Sequence, residues 1–89
     1  MILSFTKDGW DDFMYLLDKE TKAAKKVRQL LKEIARTPFE GTGKPEALKH
    51  QLAGYWSRRI DKRHRLVYRI EEREEEEDIC YIVQCRNHY

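Results

Sequence analysis

The apolar residues of this chain change their period once, and that change limits the folds open to it. Trp10, Phe13, Met14 and Leu17 recur at i, i+3, i+4 and i+7, and Ala24, Val27, Leu30, Leu31 and Ile34 keep a helical spacing over about Thr21 to Arg36. From Gly54 onward the spacing becomes two: YWSRRI, RLVYRI and ICYIVQCR alternate, separated by the turn Asp61 to His64 and by an acidic turn. Two helices followed by three antiparallel strands in a meander predict an α+β fold, an antiparallel helix pair packed on a twisted, mainly antiparallel sheet.

With 89 residues the chain fits one domain, 1–89, built around one modest core. Residues 2–6, ILSFT, are short and β-prone, and Lys7-Asp8 offers a helix start. Lys22, Lys25, Lys26 and Lys32 fall on the outward side of the second helix. Thr37 to Pro45, TPFEGTGKP, reads as a loop, and Glu46 to Leu52 as either a turn or an irregular edge strand.

Strand parity sorts the side chains of the meander. Trp56, Ile60, Leu66, Tyr68 and Ile70 suit the helix-facing core, with Arg58 on the Trp56 side. Arg59, Arg65 and Arg69 then share the other face and form a cationic patch, a phosphate site or a solvated strand face. Cys80 and Cys85 are five apart, so a regular strand turns them to opposite faces as two buried or half-buried thiols that do not bridge.

The formal net charge of +2 hides an uneven distribution. Glu71 to Asp78, EEREEEED, holds seven acids and one arginine, which leaves 17 basic against 9 acidic residues elsewhere, a body of +8. Such a body attracts polyanions and acidic partner segments, while the acidic run reads as a solvated hairpin tip. The mean hydropathy is −0.86, and no apolar run approaches the roughly 20 residues a bilayer requires. The opening MILSFTKDGW lacks a basic start and a secretory apolar segment, so we expect a cytoplasmic protein with no membrane role.

The chain closes on QCRNHY. A histidine next to the last position is a frayed end unless the rest of the sequence gives it work. Metal-free RNA cleavage needs a base for the 2′-OH, cations for the charged phosphorane and an acid for the leaving oxygen. Glu46, lying between a basic loop and Lys49-His50, supplies a carboxylate among cations; the arginine patch supplies charge; His88 supplies an imidazole. His50 and His64 are weaker acids by position, read as polar surface groups of a loop and a turn. There is no ligand spacing for a metal and no glycine-rich phosphate loop ahead of a helix, so no metal or cofactor is expected.

The string RTPFEGTGKPEALKHQLAGYWSRRIDKRHRLVY, followed by the terminal HY, resembles the YoeB toxins of the RelE/ParE superfamily, mRNA-cleaving partners of YefM-type antitoxins. The resemblance covers nearly the whole chain, and PFEGxGKPE, LKH, WSRRI, HRLVY and HY together are far more specific than any one of them. It implies a RelE-like, microbial-ribonuclease-like fold and a metal-independent endoribonuclease that cuts mRNA in the ribosomal A site. It also implies homodimers and an acidic, partly disordered antitoxin tail as partner. By the same resemblance Glu46 is the general base, Arg65 stabilises the transition-state phosphate and His88 is the general acid. Lys49, Arg59 and Tyr89 bind or orient substrate. Asn87 stands where these toxins often carry an aromatic residue, and the acidic turn is longer than theirs.

Two rivals remain from other classes. One is a non-catalytic binder, either an RNA-binding module or a ParE-like topoisomerase poison on the same fold; the other is a degraded toxin kept to bind its antitoxin. Glu46 together with a terminal His88 argues against the first, since binding alone requires neither.

Overall fold

The computed structural model of the chain describes residues 1–87. In chain order it contains β1 (Ile2–Phe5), α1 (Lys7–Lys19), α2 (Thr21–Ile34), β2 (Glu46–Ala47), a 3-10 turn at His50–Leu52, β3 (Trp56–Arg59), β4 (Arg65–Glu71) and β5 (Ile79–Gln84). The expected meander is β3, β4 and β5, paired antiparallel. The N-terminal segment adds β1 in parallel beside β5, so the sheet runs β1-β5-β4-β3-β2 and is mixed. Glu46 to Leu52, open to two readings in the sequence, divides into the two-residue edge strand β2 and the 3-10 turn.

Thr6 caps α1: its hydroxyl oxygen accepts from the Gly9 amide at 3.1 Å. Glu20 alone separates the helices and spends its carboxylate elsewhere, so α2 has no side-chain cap. What holds α2 is its buried stripe of Ala23, Ala24, Val27, Leu30, Leu31 and Ile34. Full burial of each large aliphatic side chain contributes about 1.5–3 kcal/mol. With Leu16, Ile60, Leu66, Tyr68, Cys80, Ile82 and Cys85 these residues form the core between the helix pair and the sheet, and Trp56 and Ile70 pack at its margin.

Two expectations need correction. Trp10 and Leu17 are exposed, at 50% and 43%, whereas Gly9 and Leu16 are buried. The inward line of α1 is rotated because Gly9 lies directly on β5, where an added Cβ would stand 2.2 Å from the Ile82 carbonyl oxygen. Cys80 and Cys85 both enter the core as free thiols instead of facing opposite ways. Tyr68 faces Ile82 while Val67 faces Gln84, so Val83 is an extra, bulged residue that reverses the parity beyond it.

The acidic turn is largely exposed, as expected for a hairpin tip, but it has an organising centre. Arg73 donates to the Glu77 carbonyl at 2.9 Å and the Glu76 carboxylate at 3.0 Å, and the Met1 ammonium binds Glu77 at 2.7 Å. That ammonium holds the Glu77 carboxyl below the ordinary carboxylate range.

Candidate active site

Sheet register assembles the site. Glu46 faces Ser57, Ser57 faces Val67 and Val67 faces Gln84, one row across four strands. Arg59 faces Arg65 in the neighbouring row, and Arg69 faces Tyr81 on the other side, with its guanidinium 4.4 Å from the ring centre. Directly paired residues carry their side chains to one face, about 5 Å apart, and a two-residue step along a strand is about 7 Å. Glu46, Arg59, Arg65 and Arg69 therefore occupy one face of the sheet. The face is more enclosed than a solvated strand surface: Ser57 and Val67 are buried, Arg65 and Arg69 half-buried and Arg59 exposed.

Lys49 and His50 follow Glu46 at the sheet edge, where all three line a cleft of about 500 Å³. His50, at φ 59°, occupies the left-handed region and leads the chain into the 3-10 turn. Arg65 is braced by its own turn, its Nη1 donating to the Asp61 carbonyl at 3.1 Å and the His64 carbonyl at 3.2 Å.

The C-terminal segment runs beside the start of β4. Beyond the Val83 bulge the Asp12 carboxylate accepts from the Cys85 amide at 3.0 Å, and the Arg86 guanidinium lies 3.5 Å from the Tyr15 ring centre. Gln84 donates to the Arg86 carbonyl at 2.9 Å, and the Arg65 amide donates to the Asn87 carbonyl at 3.0 Å. His88 and Tyr89 lie outside the described residues, and the chain reaches them directly from Asn87.

Two residues have larger structural roles than the sequence reading assigned. Arg58 is wholly buried; Nε donates to the Tyr68 hydroxyl at 3.1 Å, Nη1 to Glu33 at 2.9 Å and to the Thr42 carbonyl at 3.2 Å, and Nη2 to the carbonyls of Thr37 and Glu40 at 2.7 and 2.9 Å. It thus folds the loop that delivers Glu46. Burial raises the Tyr68 phenol, which stays neutral and donates to the Pro38 carbonyl at 2.7 Å. The signal was present in strand parity, which put an arginine on the apolar side, where only a paired one survives.

His64, expected at the surface, is 1% exposed. Its Nε2 lies 3.1 Å from the Glu20 carboxylate and its Nδ1 2.8 Å from the Asn87 amide nitrogen. Asp61 begins the turn by accepting from the amides of Arg63 and His64 at 2.8 Å each. Burial pushes the Asp61 carboxyl up, these two amides pull it down with help from neighbouring positive charge, and the group stays below its ordinary value. Ligand atoms of Glu20, Asp61 and His64 gather within 4.8 Å of one another, a cluster that no sequence spacing reveals. Glu20 binds Arg63 and His64, and Asp61 serves the turn amides, so hydrogen bonds account for the grouping.

This helix pair on a five-stranded mixed sheet is the fold of a solved YoeB/ParE toxin from Agrobacterium tumefaciens, with a TM-score of 0.91, 42% identity and full coverage of both chains. A Staphylococcus aureus YoeB, solved as a dimer and in complex with YefM, matches at TM-scores of 0.87 and 0.85; identity is 39%, covering 100% of this chain and 98% of that one. Toxin YoeB of Escherichia coli strain K12 is 46% identical over 89 residues, the whole of both chains. The family described as YoeB-like toxin of bacterial type II toxin-antitoxin system matches residues 5–89. The chain belongs to that family and is a toxin of a type II toxin-antitoxin system.

Proposed function

We propose that this toxin is a metal-independent endoribonuclease that cuts mRNA in the ribosomal A site and so stops translation. The observation that carries the reading is the shared sheet face: a carboxylate, Glu46, within one row of two phosphate-binding arginines, with the chain ahead of His88 held against the second of them. A binding surface needs the arginines but not the carboxylate.

In the reaction the Glu46 carboxylate takes the proton of the 2′-OH as that oxygen attacks phosphorus. Arg65 stabilises the doubly charged phosphorane, and His88 gives a proton to the departing 5′-oxygen. The P–O5′ bond breaks, leaving a 2′,3′-cyclic phosphate, which water can open to a 3′-phosphate, and a 5′-hydroxyl. Lys49 and Arg59 bind the backbone, and Tyr89 orients a base or phosphate. The ribosome aligns the nucleotide, so free RNA is a poor substrate.

The toxin works in the cytoplasm, pairs with itself and is restrained by a YefM-type antitoxin. The dimer and the YefM complex of the S. aureus relative support these partners. The test is single-turnover cleavage of mRNA on programmed ribosomes. Glu46→Ala, Arg65→Ala and His88→Ala each lower the rate by about 10²- to 10⁴-fold with little change in melting temperature. A chain ending at Asn87 folds but does not cut, and wild-type cleavage withstands EDTA where the ribosomes stay intact. Cleavage within a few-fold of wild type by all three alanine variants overturns the assignment.

A further inference from the structure

The position of Asn87 depends on a residue that has no place in the chemistry above. Both backbone polar groups of Asn87 are held by adjacent residues at the start of β4: its amide donates to His64 Nδ1 at 2.8 Å, and its carbonyl accepts from the Arg65 amide at 3.0 Å. Asn87 sits at φ 60°, a left-handed conformation that asparagine adopts more readily than most residues. The chain is thus turned and gripped one peptide bond before His88.

The grip sets the imidazole's tautomer. An Nδ1 that accepts an amide proton carries none itself, so the neutral ring bears its hydrogen on Nε2 and donates it to Glu20, 3.1 Å away. Glu20 is fixed in turn by Arg63 from the same turn. The ring is buried, so each of its nitrogens has one protein partner in a fixed direction, and the alternative tautomer would set two N–H groups against each other.

We infer that His64 is a positioning residue of the cleavage site: through its unprotonated Nδ1 it locks Asn87 against Arg65 and thereby sets where the chain delivers His88 relative to the phosphate-binding arginine. This role rests on the nuclease reading for its consequence, while the clamp itself is a property of the folded chain. It also explains why this histidine lies buried where the α1–α2 link, the β3–β4 turn and the C-terminal segment meet.

Substitutions that keep one ring nitrogen's function at a time separate this role from packing. In His64→Asn the amide oxygen takes the place of Nδ1 and keeps the Asn87 bond while losing Glu20. In His64→Gln the longer side chain reaches Glu20 and leaves the Asn87 amide without its acceptor. His64→Asn retains single-turnover cleavage within about three-fold of wild type, whereas His64→Gln loses about 10- to 100-fold, with ribosome affinity unchanged in both. The melting temperatures follow the reverse order or coincide.

Equal cleavage by the two variants, or losses that track melting temperature, overturns the inference. A second measurement stands apart from catalysis: ¹⁵N spectra of the wild-type full chain show the Nε2–H tautomer of His64 and a coupling across the hydrogen bond between Nδ1 and the Asn87 amide nitrogen. An Nδ1–H tautomer overturns the clamp. Should the wild type itself fail to cut ribosome-bound mRNA, the nuclease reading falls, and the coupling still decides whether the clamp exists.

Discussion

Arg58 and Glu33 form an ion pair at 2.9 Å in which the arginine has no exposed surface and the carboxylate is 22% exposed. The pair joins β3 to α2 and closes the loop between them, because the remaining guanidinium donors hold three loop carbonyls. Arg58→Met leaves those carbonyls without their donor and Glu33 without its cationic partner, and it should cost about 3–5 kcal/mol in urea denaturation. Arg58→Lys keeps the charge but not the fork and should fall between. A methionine variant as stable as wild type would show that the loop holds itself.

The same pair gives stability an acid limb. The Thr42 amide first, then the Thr42 hydroxyl and Arg58, hold the Glu33 carboxyl below its ordinary value. A depressed carboxyl stabilises the fold fully above its unfolded pKa, and that contribution is lost as pH falls through the lower folded value. Melting temperature should therefore decline below about pH 4.5, the ordinary carboxylate range, and Glu33→Gln should flatten part of that decline. Parallel curves for the two proteins would remove Glu33 from the account.

Gly9 allows α1 to lie on β5. A methyl group there meets the backbone carbonyl of Ile82, which cannot rotate away as a side-chain tip would. Gly9→Ala should destabilise by about 1–3 kcal/mol despite alanine's better helix propensity, measured by chemical denaturation. A neutral or stabilising effect would mean that the helix shifts freely on the sheet.

Both thiols should be inert in the folded protein. Burial pushes Cys80 and Cys85 up to about 12, so at pH 8 only about 10⁻⁴ of each is thiolate. Iodoacetamide should label neither under native conditions and both in denaturant. Rapid labelling of the native protein would reveal an opening of the helix–sheet interface.

Part of this structure is legible in apolar spacing and residue type. The α2 stripe, the three meander strands and the core side of β3 and β4 follow from apolar spacing alone, because burying one face of an element requires that spacing. The common face of Glu46, Arg59 and Arg65 needed more than strand parity, since the partners of the two-residue β2 became known only from its pairing. Three features came only with the tertiary structure. Gly9 rotated the buried line of α1 toward β5, and the Val83 bulge reversed strand parity and brought Cys85 into the core. Residues far apart in the chain, Glu20, His64 and Asn87 above all, met in one hydrogen-bonded cluster. A period reports how one element meets a core, whereas a close backbone approach, an inserted residue and a distant hydrogen-bond partner depend on how elements meet each other.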